Sequence, residues 1–215
     1  MVSPALRFPL TNCRSASILL KKESAGLRCE IFRNCLATKK KTLTTKLLKV
    51  ISGGQTGVDR GALDAALALQ VECGGWCPEG RLAEDGIIPK RYPVMELANA
   101  GYAERTARNV ADSDGTLIIS NGKPIGGTRE TVDRCIEMRK PYLLIDSEVV
   151  DIGKAIGLAL AFISRLSFRA AMTIVLNVAG PRASQWPEGH KTALQIVSGV
   201  LRVLSGQNDA SEYSL

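Results

Sequence analysis

From position 47 onward, apolar residues fall into short runs separated by amphipathic stretches. Leu47, Leu48, Val50 and Ile51 form a run that ends on glycines, as a central parallel strand does. Residues 59–70 then carry Leu63, Ala66 and Leu67 at helical spacing. The alternation recurs. Residues 102–111 predict a helix, and GTLIIS at 115–120 predicts a strand that closes on Asn121-Gly122. Gly127-Thr128 opens a helix to about Lys140, and PYLLID at 141–146 is the next strand. A long helix follows near 149–165, then the strand MTIVLNV at 172–178 and a last helix from near Pro187 to Leu204. Strands alternating with helices imply an α/β fold in three layers, α/β/α, around a mostly parallel sheet.

Residues 1–46 show no such period. They are rich in Ser, Thr, Lys and Arg and include the run Lys39-Lys40-Lys41. Positions 1–50 hold 11 Lys and Arg against only Glu23 and Glu30, so they carry +9 of a chain whose net charge is +7. The pI of 9.2 therefore belongs to this segment, and the rest of the chain has no nucleic-acid footprint. The expected organisation is a basic, poorly ordered leader at 1–46, a Rossmann-like domain at 47–205 and a polar tail at 206–215. The leader fits three accounts: translation from an early start codon, a transit segment, or a basic arm for nucleic acid or membrane.

No apolar stretch reaches the length of a membrane span; residues 152–166 are interrupted by Lys154 and Arg165. Of six cysteines, Cys13, Cys29 and Cys35 lie in the leader and Cys73, Cys77 and Cys135 in the domain. Three domain cysteines cannot all pair, and no signal peptide is visible, so a reducing cytoplasmic location is expected.

Ligands of open parallel sheets bind outside the carboxyl ends of the strands. Three segments there are rich in Gly or hydroxyl residues: SGGQTGVD at 52–59, SNGKPIGGTR at 120–129 and VAGPRAS at 178–184. Glycine turns let backbone approach an anion, and a following helix offers unpaired N–H groups and a positive dipole end. The candidate anion ligands are Gly53, Gly54, Gln55, Thr56 and Gly57 in the first turn, and Ser120, Gly126, Gly127 and Thr128 in the second. Arg182 and Ser184 follow in the third, and Arg81 comes from a long charged stretch at 74–86. The bland alternative is that these glycines only make tight turns. The first turn is neither a Gly-Lys-Ser/Thr phosphate loop nor the six-residue dinucleotide signature.

Other features carry less. Within 74–86, Glu84 and Asp85 can order the loop, and Trp76 can stack on a planar ligand or plug the core edge. Arg105 and Asn109 share a helix face that points toward the loops or toward solvent. Asp112 and Asp114 suit turns and caps. Cys73 and Cys77 lack the further ligands of a metal site, and the one histidine, His190, suits a surface or capping role.

Five stretches together resemble the molybdenum cofactor carrier family. They are SGGQTGVDRGALDAAL at 52–67, GGWCPEGRLAEDG at 74–86, RTARNVADSDGTLI at 105–118, GGT at 126–128 and LNVAGPRAS at 176–184. The resemblance spans about 49–205 and leaves the leader outside. It implies a Rossmann-like fold related to the lysine-decarboxylase-like (LOG) proteins and a homo-oligomer, tetramer or dimer. It also implies binding of the molybdenum cofactor, an anionic pterin phosphate with a molybdate-bearing dithiolene, for delivery to molybdoenzymes. Such a ligand suits N–H-lined turns and arginines, and binding would shield the dithiolene from water and oxygen.

Two positions depart from related patterns. The LOG hydrolases carry Pro-Gly-Gly-x-Gly-Thr-x-x-Glu; here Thr131 stands in place of that Glu, and Glu130 lies one residue early. One residue is about 100° of helix rotation, so Glu130 is expected to face away from the site. Gln185 follows Ala-Ser where many carriers have an acid. The expectation is a non-catalytic carrier of a small anionic ligand. The alternatives are a hydrolase of nucleoside-monophosphate N-glycosides, with Glu130 the nearest acid/base, and a nucleotide sensor that reports through oligomer state.

Overall fold

The computed structural model describes residues 22–23, 26–27, 47–167 and 173–206. In a first unit, Met1–Thr42, the short strands β1 (Lys22–Glu23) and β2 (Gly26–Leu27) pair antiparallel. The rest of the leader expected at 1–46, and the tail beyond Gly206, lie outside the described residues.

The second unit runs β3 (Leu47–Ile51), α1 (Val58–Ala68), β4 (Cys73–Gly74), β5 (Trp76–Pro78), β6 (Leu82–Ala83), β7 (Gly86–Ile87) and β8 (Met95–Leu97). It continues α2 (Tyr102–Ala111), β9 (Gly115–Ser120), α3 (Gly126–Glu137), β10 (Tyr142–Asp146), α4 (Ile152–Ser167), β11 (Thr173–Ala179) and α5 (Gly189–Ser205). Five strands form one parallel sheet in the order β10-β9-β11-β3-β4. From β3 the chain crosses through α1 to one edge of the sheet; from β9 it crosses through α3 to the other. Right-handed crossovers in opposite directions put their helices on opposite faces. The result is the three-layer, Rossmann-like α/β/α arrangement expected from the alternation of periods.

All six residues of β9 are buried, as a strand covered on both faces requires. The larger core packs Val50, Leu117, Ile119, Leu176 and Val178 of the sheet against Val58, Ala62 and Ala65 of α1, Ile163 of α4, and Ile196 and Val200 of α5. Each fully buried Val, Leu or Ile contributes about 1.5–3 kcal/mol. A smaller core of Leu63, Cys77, Ile88, Tyr92 and Val94 ties an excursion at 73–97 to α1. The excursion, of which the sequence gives 74–86 as one long irregular loop, has structure of its own. It is a set of short pairings: β4 joins the main sheet, β5 pairs parallel with β8, and β6 with β7 makes a hairpin. No helix among the described residues is long and apolar enough to cross a membrane.

Candidate ligand-binding site

Strands β9, β11 and β3 are neighbours, so the three glycine-bearing turns emerge side by side at their carboxyl ends. Between them and α2 lies a cavity of about 210 Å³. A water molecule takes about 30 Å³ of liquid, so the cavity has room for an organic group and not only a lone ion or water.

The first turn already holds an anion of its own. Asp59, in the first turn of α1, is buried, and its Oδ2 accepts the Gln55 N–H at 3.3 Å. Arg105 reaches over from α2 and places Nη1 3.3 Å from the same oxygen. Burial pushes the Asp59 carboxyl up from its ordinary range, against the pull of Arg105 and the Gln55 N–H. The positive end of α1 is therefore met from within. Gly57, with φ of 76°, lets this turn pack against the third one: a β-carbon there would lie 2.9 Å from the Ala183 nitrogen.

The second turn is different. No side chain caps α3 at Ile125, and the first backbone bond into the helix is donated by Arg129. The N–H groups of Gly126, Gly127 and Thr128 thus stand ahead of the helical ladder. Thr128 is 3% exposed, yet its Oγ1 has no partner, and Nε of Arg105 across the cavity has none either. Gln185, from beyond the third turn, also faces the cavity, with Nε2 close to Gly126. Unpaired buried donors cost free energy, typically 1–3 kcal/mol each, unless something meets them.

The third turn is held by Glu84. The hydroxyls of Thr56 and Ser184 both donate to its carboxylate, and so does the Ser184 N–H at 3.1 Å. Nε of Arg182 stands 3.7 Å away. Burial opposes ionisation, but the Ser184 and Thr56 hydroxyls, the Ser184 N–H and Arg182 outweigh it and hold the carboxyl below its ordinary value.

Of the residues singled out by sequence, Gly53, Gln55, Gly127, Thr128 and Arg182 line the cavity. Gly126 opens α3 beside them. Gly54 lies instead beneath Ile88 and Val94, and Thr56 and Ser184 are turned to Glu84. The Ser120 hydroxyl donates to the Gly122 carbonyl at 3.0 Å and closes its own turn. Arg81 is not brought to the site. Its guanidinium donates to the carbonyls of Ile88, Pro89, Tyr92 and Val94, so its donors go to folding the excursion.

Glu130 corrects a further expectation. Helix α3 runs along the cavity wall, and both Glu130 and Thr131 line it, with Glu130 3.5 Å from Arg134. Arg105 and Asn109 do point toward the loops: both line the cavity, and the Asn109 amide clamps the backbone N–H and C=O of Trp76 at 2.9 Å each. Trp76 sits against α2, where its Nε1 donates to Asp112 and Arg108 stacks on its ring. Asp59 and Asn177 were not singled out by sequence. The signal for Asp59 is its place: a carboxylate in the first helical turn directly after a glycine turn.

His190 pairs with Asp64 at 2.8 Å, away from the cavity. Burial pushes the thiols of Cys73 and Cys77 up, and no cluster of three or more His, Cys, Asp or Glu fit to hold a metal occurs among the described residues.

Comparison with known proteins adds family to geometry. A family model described as "Circularly permutated YpsA SLOG family" matches residues 50–201. No curated protein matches the chain. Among solved structures, the chain is similar to a protein of Syntrophus aciditrophicus SB named "Putative molybdenum carrier protein". The two share 41% identity over 73% of this chain and 96% of that one, with a TM-score of 0.68.

Proposed function

The chain belongs to the circularly permutated YpsA SLOG family, and on that premise we propose that it binds and carries the molybdenum cofactor, with an anionic end of the ligand at the N-terminus of α3. The observation that carries this reading is the Thr128 hydroxyl: buried, unpartnered and set at an uncapped helix start beside a cavity. A phosphate there would accept from the N–H groups of Gly126, Gly127 and Thr128 and from Thr128 Oγ1. Across the cavity, Nε of Arg105 and the amide of Gln185 supply further donors. On the cavity wall the amides of Asn177 and Gln185 suit the polar edge of a pterin ring, the Asn109 amide being taken by Trp76 and the Thr106 hydroxyl by the Tyr102 carbonyl. The molybdenum would be held by the ligand's own dithiolene. The relative's name supports the cargo, since that protein is called a molybdenum carrier.

The reading extends to a cytoplasmic homo-oligomer that hands its ligand to molybdoenzymes. Three free cysteines within the fold and the exposed edge residues Tyr142 and Leu144 support location and assembly respectively.

The test is retention of added cofactor by the purified full chain and by Thr128→Val. The variant is expected to keep its stability, because no internal bond is lost, and to weaken retention about tenfold, the worth of one bond to a charged group. Equal retention by both proteins would overturn the assignment.

One observation favours a second reading. With Glu130 on the cavity wall, a carboxylate is available for acid/base work on a nucleoside monophosphate. Free base released from AMP by the wild type and not by Glu130→Gln would favour this hydrolase over the carrier.

A further inference from the structure

The tip of the hairpin β6–β7 is Glu84-Asp85, and apolar packing does little to hold the hairpin in place. Leu82 is 50% exposed and Ile87 71%, and only Ala83 touches the smaller core. Its base is firm. Arg81 is fixed by four carbonyls, Ile88 is fully buried, and the Ile88 N–H donates to the Arg81 carbonyl at 2.8 Å.

What fastens the tip is charge. Asp85 receives both terminal nitrogens of Arg60, at 2.6 and 2.8 Å. The Glu84 N–H donates to the Gln55 side chain at 3.0 Å, and the Glu84 carboxylate is only 17% exposed. That carboxylate sits in a nest built by two separate turns: the Thr56 hydroxyl from one, and the Ser184 N–H and hydroxyl with Arg182 from the other. Hydroxyls, a backbone N–H and a guanidinium around one oxyanion are the donor set that recognises carboxylate or phosphate. Gln55 and Arg182 border both this nest and the cavity.

We propose that residues 82–87 form a lid latched by its own carboxylate, and that the nest held by Glu84 is a second anion subsite which a ligand's other anionic group enters by displacing it. This rests on the α3 end being the first anion site, and it deepens that reading. The ligand class is then one with two anionic groups, one at α3 and one at Ser184. Glu84 keeps the nest filled between ligands, so that the buried Thr56 hydroxyl and the donors of Ser184 stay paired, and ties lid opening to ligand entry.

The test is hydrogen exchange of the full chain, with inorganic phosphate as probe, read on peptides covering 82–87, 182–186 and, as a folding control, 115–120. In the wild type, phosphate is expected to speed exchange at 82–87 in a saturable way. Glu84→Ala is expected to speed it about tenfold without phosphate, the factor of one charge-assisted bond, and to leave 115–120 unchanged. Phosphate should then slow exchange at 182–186 in that variant at lower concentration than in the wild type. Glu84→Gln, which keeps the size of the side chain, should follow in the same direction and serves if the alanine variant does not fold. Wild-type exchange at 82–87 in both variants would overturn the lid. No protection of 182–186 by phosphate would overturn the subsite. Thr128→Val separates the two readings: it should weaken cofactor retention while phosphate protection at 182–186 persists.

Discussion

Nη1 of Arg105 occupies the space that a β-carbon on Gly53 would fill, and it stands there 3.3 Å from Asp59. Gly53 is thus required by a cation, where sequence reasoning has it making room for an anionic ligand. Gly53→Ala is expected to cost about 1–3 kcal/mol as Arg105 is pushed aside. Arg105→Ala is expected to cost about 3 kcal/mol, because it leaves the buried Asp59 unpaired. In the double variant the new methyl group takes vacated space, so the combined loss should fall short of the sum by about 1 kcal/mol or more. Urea denaturation of the four proteins measures this; simple additivity would show that the two residues do not compete for one volume.

Gly57→Ala is expected to fail as a folding defect and not as a binding defect. The residue has φ of 76°, and its β-carbon would press on the backbone of Pro181, Arg182 and Ala183, which cannot swing away as a side chain can. With ψ of −130° the backbone is in a region almost reserved for glycine, and strain of about 1–3 kcal/mol there adds to overpacking of similar size. A fall of about 3 kcal/mol in unfolding free energy is the expected result. A variant as stable as wild type that has lost its ligand would instead make the turn itself the binding surface.

The fold was legible because its long elements carry clear periods. The burial of all of β9 and of Leu63 and Ala66 in α1 follows directly from GTLIIS and from helical spacing, whereas Leu67, on the same spacing, is 39% exposed near the end of the helix. The excursion at 73–97 was not, because strands of two or three residues leave no alternation to read. The site was legible as a place and not as a set of partners. Three turns at adjacent strand ends mark the cavity, but one-dimensional text does not show that Asp59 and Glu84 would meet the donors of two of them. The orphaned hydroxyl of Thr128, which singles out the remaining turn, exists only once α3 is folded with nothing at its cap.

Arg81→Lys separates a folding role from a ligand role. The guanidinium bridges four carbonyls spread over residues 88–94, and the three donors of an ammonium at one point cannot reproduce that fork. The substitution is expected to lower the local stability of the excursion by about 2 kcal/mol, roughly one or two hydrogen bonds. Faster hydrogen exchange at 88–94 with little change in 115–120 would be the signature. Unchanged exchange combined with lost cofactor retention would return Arg81 to the ligand.

The latch should have a pH dependence of definite sign. Glu84 is held below its ordinary value by the hydroxyls of Ser184 and Thr56, the Ser184 N–H and Arg182, with burial opposing them. An acid whose folded value is depressed contributes stability that is present above its unfolded value, about 4.3 for glutamate, and lost as pH falls through the lower folded value. The charged neighbours at the tip are Arg182 on the Glu84 side and the Arg60–Asp85 pair on the other, where Arg60 likewise lowers Asp85. Titrating from neutral pH downward, the amide resonance of Ser184 should hold steady through the ordinary glutamate range and shift only below it. In Glu84→Gln that step should vanish, while the step of Asp85 against Arg60 remains, because Asp85 does not touch Ser184. A Ser184 midpoint at or above 4.3 would mean that the donors around Glu84 do not stabilise its charge, and the hairpin would then need another fastening.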